Sequence, residues 1–131
     1  MSNRDVVNQF YLAIQANSGA AILAALHPQF EAEVAPGMPS VTDFAPRGPK
    51  VALATVWGPV GQDFDIAPYA EAWYDTEDGG VLVTGHYRGT ARATGKPVLA
   101  EFAHLWHVAD GKISALHQYT DTWCWRAALA A

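Results

Sequence analysis

The dipeptide Asp110-Gly111 constrains the fold of this chain more than any other feature of its sequence. It separates two runs in which apolar and polar residues alternate. A type I′ turn needs positive φ at both central residues, so Asp-Gly between alternating runs is the strongest short-range signal for a two-residue β-hairpin. The pattern therefore predicts a hairpin over residues 101–122.

The register of this hairpin predicts which side chains share a face. With Asp110 and Gly111 as the central pair, His104 would lie opposite His117, and residues directly opposed on two strands point to the same side of a sheet. The shared face would be apolar except for two imidazoles, a phenol and a carboxylate, a composition typical of a ligand-pocket wall. Its members would be Phe102, His104, Trp106, Val108, Ile113, Ala115, His117, Tyr119 and Asp121.

The hydrophobic period changes from helical to alternating after Gln62. Upstream, the pattern predicts three helices and a short strand over residues 30–34; downstream, it predicts a four-stranded antiparallel meander. Helices first and strands afterwards indicate one α+β domain over residues 1–131, with the helices packed on one face of a curved antiparallel sheet. A two-residue turn at Thr94-Gly95 would place Gly85 opposite His104.

Composition limits the classes of partner. The formal net charge of −5 makes nucleic acid an unexpected partner, and a 50% hydrophobic content excludes a disordered tail. No apolar run approaches the roughly 20 residues of a membrane span. With one cysteine, Cys124, and a polar N-terminus, we expect a cytoplasmic protein. The surplus of aromatic residues suggests an aromatic-lined cavity or a subunit interface.

The order of elements resembles the cone-shaped fold shared by nuclear transport factor 2 (NTF2), ketosteroid isomerase and SnoaL-type polyketide cyclases. The resemblance to the SnoaL-like branch rests on short pieces in the same order. These are Phe10-Tyr11, Pro46-Arg47-Gly48-Pro49, Thr94-Gly95-Lys96-Pro97, Phe102-Ala103-His104-Leu105-Trp106, Asp110-Gly111-Lys112-Ile113 and Tyr119-Thr120-Asp121-Thr122. The resemblance implies an NTF2-like conical barrel with an apolar pocket, no cofactor, and a homodimer packed through the outer sheet face.

The reactions of this superfamily differ in how well their catalytic residues match the residues of this sequence. The acid–base positions of ketosteroid isomerase correspond to Phe10, Ala35 and His104, and the arginine of limonene-type epoxide hydrolases corresponds to Leu99. All three groups of the isomerase differ here. The epoxide hydrolase set lacks its arginine, although Asp121 and Glu101 resemble its two aspartates. The SnoaL-type cyclases match best, which implies an acidic base at Asp121 and an enolate-stabilising partner at His104.

Physical chemistry gives these residues two possible roles each. A desolvated Asp121 would have a raised pKa and serve as a general base, or it could simply end its strand by binding backbone. His104 could donate to an oxyanion, with Tyr119 as a supporting donor, or it could be a packed core histidine. Four residues along a strand span roughly 13 Å, so Asp121 and His104 would need a bulge or a substrate between them.

Two functions follow as hypotheses. One is a cofactor-independent cyclase- or isomerase-type enzyme acting on a hydrophobic carbonyl or polycyclic compound, and the other is a non-catalytic pocket protein or dimeric scaffold. His104 and His117 could share a metal, but the sequence offers no third ligand, so no metal site is predicted. The expected pocket-lining residues, each of which could instead be ordinary core, are Tyr11, Trp57, Tyr87, Phe102, Trp106 and His117.

Overall fold

The computed structural model describes residues 1–131, in which helices pack on one face of a five-stranded sheet. The strand order is β1-β5-β4-β3-β2. None of the helices has the length and apolar character needed to cross a membrane. The elements are α1 (Asn3–Gln15), α2 (Gly19–Ala25), β1 (Leu26–Glu33), α3 (Pro49–Ala52), a π-helical segment (Leu53–Trp57), α4 (Gly58–Asp63), β2 (Phe64–Asp75), β3 (Val81–Ala91), β4 (Pro97–Ala109), β5 (Lys112–Thr120) and α5 (Thr122–Leu129).

Helix α1 begins at a capping box. The Ser2 hydroxyl accepts from the Asp5 N–H, and the Asp5 carboxylate accepts from the Ser2 N–H. These bonds satisfy two donors that the first turn would otherwise leave unpaired. The helix then buries Val6, Phe10 and Tyr11 on one side, which places Tyr11 against the sheet.

The third predicted helix is interrupted, so four α-helices and one π-helical segment precede β2 instead of three helices. Gly58 donates its N–H to the carbonyl of Leu53, five residues earlier, which makes the π-helical turn. Pro59 has no N–H to give to Thr55. The free Thr55 carbonyl accepts instead from the N–H of Thr42, at 2.9 Å, and this bond ties the preceding loop to the helix.

The sheet is mixed, whereas the sequence pattern predicted an antiparallel one. Strand β1 is longer than the predicted short strand and pairs in parallel with β5, while the other neighbouring pairs are antiparallel. The chain between β1 and β5 includes strands β2, β3 and β4. It then returns to lie beside β1 and runs in the same direction, which a parallel pair requires. The C-terminal tail forms α5, which buries Trp125 and Ala128.

The turn at Asp110-Gly111 is as predicted, but the pairing beyond it is not. Both residues have positive φ, 54° and 72°, and Val108 pairs with Ile113. A bulge then shifts the register, so His107 lies opposite Ala115 and His104 opposite Gln118. A one-residue shift moves every later side chain of a strand to the other face.

The pairing of β3 with β4 is displaced by two residues from the predicted register. Gly85 lies opposite Phe102, and Val83 lies opposite His104. A shift of two residues preserves the faces, so Tyr87 still points to the same side as His104. Gly85 does not open space beside the imidazole; a Cβ there would lie 2.1 Å from the Tyr69 carbonyl oxygen. The glycine therefore admits the bulged backbone of β2.

We expect Gly85→Ala to destabilise the protein, because the added methyl meets backbone oxygen that cannot move independently of β2. The overpacking is expected to lower the free energy of unfolding by about 1–3 kcal/mol, measured by urea denaturation. Gly61→Ala is the matched control, since a Cβ at this exposed helical position meets nothing within 4 Å. An equal loss in both variants would contradict the assigned role of Gly85.

Candidate functional site

A cavity of about 340 Å³ lies between the helices and the inner face of the sheet. This volume is in the range of small-molecule pockets. Of the 25 lining residues, 16 are hydrophobic, and none is Asp, Glu, Lys or Arg. The apolar wall includes Phe10, Leu53, Val56, Trp57, Trp106 and Trp125. The cavity can therefore take an apolar molecule but offers no charged side chain to it.

His104 forms the polar centre of this cavity. Strand β4 directs its side chain inward, where the residue is 3% exposed and its ring stacks on Phe102 with centroids 4.0 Å apart. Its Nδ1 lies 2.8 Å from the Tyr11 hydroxyl, and its Nε2 lies 2.7 Å from the Tyr87 hydroxyl. Both ring nitrogens are thus occupied by phenols.

Each phenol is bound in turn by another side chain. The indole Nε1–H of Trp106 donates to the Tyr11 hydroxyl at 2.9 Å, and the Gln118 amide donates to the Tyr87 hydroxyl at 2.8 Å. The Gln118 carbonyl oxygen accepts from the backbone N–H of Ala35 at 3.2 Å. We call the five side chains of this chain of hydrogen bonds the His104 network: Trp106, Tyr11, His104, Tyr87 and Gln118.

The His104 network is uncharged near neutral pH. Burial lowers the pKa of His104 to about 3, because a dry environment disfavours the imidazolium. Burial likewise raises the pKa of Tyr11 and of Tyr87, against smaller lowering effects from their hydrogen-bond donors. The arrangement can donate and accept hydrogen bonds, but it holds no ionised acid or base.

Residues 7–116 match the family model of the SnoaL-like domain. The chain belongs to the SnoaL-like family. Its fold is also that of an NTF2-like protein from Burkholderia thailandensis, with 29% identity, a TM-score of 0.86, and coverage of 100% of this chain and 99% of that one. A search among curated proteins finds no significant match.

Two further solved structures show the same fold at lower identity. TerC, co-crystallized with polyporic acid, has a TM-score of 0.84 at 20% identity, with 96% of each chain covered. A candidate polyketide cyclase from Xanthomonas campestris pv. campestris has a TM-score of 0.81 at 16% identity, covering 97% of this chain and 96% of that one.

Five of the residues singled out for the pocket of this SnoaL-like protein lie at or next to the cavity. Trp57, Tyr87 and Trp106 line it, together with His104. Tyr11 and Phe102 do not line it, but both pack against the His104 ring, Tyr11 through its hydroxyl and Phe102 by stacking.

His117 and Tyr119 lie on the outer face of the sheet, so the expectation that they share a face with His104 is wrong. The imidazole Nδ1 of His117 lies 3.1 Å from the Glu33 carboxylate, and its ring stacks on that of Tyr119. The physical cause is the bulge at the start of β5, which reverses the facing of every residue after it.

Asp121 also lies outside the cavity, and the expectation of a desolvated carboxylate is wrong. It is exposed and N-caps α5, where its carboxylate accepts from the Cys124 N–H and from the Cys124 thiol. Strand β5 ends at Thr120, one residue earlier. The alternative reading, a residue that ends its strand and binds backbone, describes Asp121 correctly.

Gln118 is the member of the His104 network that the sequence reading missed. A signal for it exists, because Ile113 and Leu116 are large apolar residues three positions apart in the sequence. Residues three apart face opposite sides of a regular strand, so burying both requires a bulge between them. With that bulge, Gln118 falls on the inner face and His117 on the outer.

The buried His104 is expected to make stability depend on pH. Its pKa falls from 6.5 to about 3 on folding, so the unfolded chain binds more protons throughout that window. The free energy of unfolding should therefore fall as the pH is lowered, by about 2 kcal/mol between pH 7 and pH 5 from this group alone. Urea denaturation at both values measures it. The fall in stability should be about 2 kcal/mol smaller in His104→Gln than in the surface control His107→Gln; equal slopes in the two variants would refute the assignment.

Removing the cap at Asp121 should affect stability and not the cavity. Asp121→Ala is expected to cost about 1 kcal/mol of unfolding free energy, whereas Asp121→Asn should retain most of it because asparagine is also a good N-cap. Denaturation curves give the stabilities, and titration of a cavity-binding probe gives the affinities. Weaker probe binding in the folded asparagine variant would show that Asp121 does reach the pocket.

Proposed function

We propose that this SnoaL-like protein binds a small, neutral, mostly apolar molecule in its cavity and orients it through the His104 network. The observation that carries this proposal is a lining that is largely hydrophobic and without charged side chains. Its few polar side chains are Tyr87, His104 and Gln118 of the His104 network, together with Asn17 and Gln62. In such pockets apolar contact supplies most of the affinity, and a few placed polar groups fix the orientation.

The absence of charged side chains from the lining favours a neutral ligand. An ion entering the cavity would lose its hydration, and no side chain of opposite charge lines the walls to replace it. A ligand with a carbonyl group meets the polar centre without that penalty. The co-crystallization of TerC with polyporic acid supports this fold as a host for small molecules.

An enzyme acting on the same class of compound by proton transfer is the second candidate. It is favoured by the position of Tyr87 and Gln118, which could polarise a carbonyl oxygen inside an apolar cavity. Proton abstraction also needs a base, however, and the low pKa of His104 makes it a weak one. The lining supplies no carboxylate in its place. Binding is therefore the function that the geometry supports best.

Pairing of two copies through the outer face of the sheet is a further part of the proposal. That face carries Leu82, Ala103 and Leu105, which are only half-buried in the single chain. Burying apolar side chains of this kind against a second sheet is how such faces are stabilised.

A cavity-filling substitution provides the test of binding. Val56 lines the cavity and is 7% exposed, so Val56→Phe should occupy part of the space that a ligand needs. We expect N-phenyl-1-naphthylamine, a neutral apolar dye, to bind the native protein with enhanced fluorescence. Its affinity should fall about tenfold or more in Val56→Phe, which corresponds to about 1.4 kcal/mol.

Val51→Phe is the matched control, since Val51 lies on the same helical stretch but is 43% exposed and outside the cavity. It should retain the native affinity, and thermal unfolding would verify that both variants are folded. The proposal fails if the native protein does not bind the dye, or if the two variants bind it equally well.

A further inference from the structure

We infer that the Tyr87 hydroxyl holds the one phenolic proton of the His104 network that has no acceptor within the protein, and that it donates this proton to a carbonyl oxygen of the bound molecule. The inference rests on the proposed function for the existence of a ligand and names the group by which that ligand is recognised. It follows from counting donors and acceptors along the network.

The direction of hydrogen bonding is fixed at both ends. The Trp106 indole N–H can only donate, so the Tyr11 oxygen accepts from it. The Ala35 backbone N–H can also only donate, so the Gln118 amide turns its oxygen to Ala35 and its nitrogen to Tyr87. The Tyr87 oxygen is therefore an acceptor as well.

The centre of the network allows two arrangements. A neutral imidazole has one N–H and one lone pair, so one phenol donates to His104 and the other accepts from it. If Nδ1 carries the proton, Tyr87 donates to Nε2 and the hydroxyl proton of Tyr11 is left over. If Nε2 carries it, Tyr11 donates to Nδ1 and the hydroxyl proton of Tyr87 is left over.

The surroundings of the two phenols distinguish these arrangements. Tyr11 is 1% exposed, does not line the cavity, and is packed among aromatic rings, including those of Phe10 and Trp73. No acceptor other than His104 Nδ1 contacts its hydroxyl, so a leftover proton there would be buried without a partner, which is costly. Tyr87 lines the cavity, where a ligand can accept the proton. The Nε2–H tautomer is therefore favoured.

The chemical class of ligand follows from this assignment. The cavity presents a hydroxyl donor at Tyr87, beside the second amide hydrogen of Gln118, which also has no acceptor in the protein. A carbonyl oxygen has two lone pairs and can meet such donors. A pure hydrocarbon has no acceptor, so it would leave these donors unpaired. An ammonium group has only donors and could not accept a hydrogen bond from them.

The tautomer can be measured in the ligand-free protein. Two-dimensional ¹H–¹⁵N NMR of the histidine rings distinguishes a protonated ring nitrogen from one with a free lone pair. We expect His104 to be protonated at Nε2 and unprotonated at Nδ1. Protonation at Nδ1 would overturn the inference, whether or not any ligand binds.

The ligand preference can be measured with 9-fluorenone and fluorene, which have the same ring framework with and without a carbonyl. We expect fluorenone to bind the native protein about 3- to 10-fold more tightly, the ratio typical of one hydrogen bond. Its carbonyl stretch should move to lower wavenumber on binding. Tyr87→Phe should abolish the preference while still binding fluorene, and Tyr119→Phe, which removes an exposed phenol oxygen outside the cavity, should keep it.

The outcomes separate this inference from the proposed function. Equal affinities of the native protein for the two probes, with an unshifted carbonyl stretch, would refute donation by Tyr87 while leaving the pocket function intact. Failure of both probes and of the neutral dye to bind would refute the pocket function, and the NMR tautomer would still decide the position of the proton. Both native-protein measurements stand even if Tyr87→Phe does not fold.

Discussion

The burial of one neutral imidazole constrains most of this structure. His104 has a donor and an acceptor that lose water on folding, and an unpaired buried polar group costs about 1–3 kcal/mol. The partners come from different elements, Tyr11 from α1 and Tyr87 from β3. Each phenol then needs its own donor, which brings in Trp106 and Gln118. Pairing the hydrogen-bonding groups of one side chain thus fixes how α1 packs against the three strands β3, β4 and β5.

The bulge in β5 couples the register of the sheet to this chemistry. In a regular hairpin His117 would lie opposite His104, and Leu116 would face outward. The bulge buries Leu116, moves His117 to the surface beside Glu33, and brings Gln118 within hydrogen-bond distance of Tyr87. The backbone irregularity therefore exchanges an ionisable side chain for an amide at the cavity wall, which keeps the polar centre uncharged.

Features set by local backbone chemistry could be predicted, and features set by packing could not. The Asp110-Gly111 turn and the alternating strands are local, and both are found. The π-helical turn, the bulge in β5 and the parallel pairing of β1 depend on distant partners. The alternating pattern places Asp121 wrongly because it continues one residue past Thr120, the end of β5. An aspartate before a helix-compatible run is equally the signal of an N-cap. His104 was found because its neighbours already placed it on an apolar face.

The uncharged cavity also explains why a shared fold need not carry a shared reaction. Burial in this apolar space would raise the pKa of a carboxylate, or the carboxylate would need a buried counter-ion to stay charged. Either would cost stability. Phenol, imidazole and amide groups avoid that cost because they remain neutral at physiological pH. They can hold and polarise a carbonyl group, but the low pKa of His104 makes its imidazole a weak base for removing a proton from the carbon beside it. The groups of the His104 network therefore favour the proposed role in recognition over acid–base turnover.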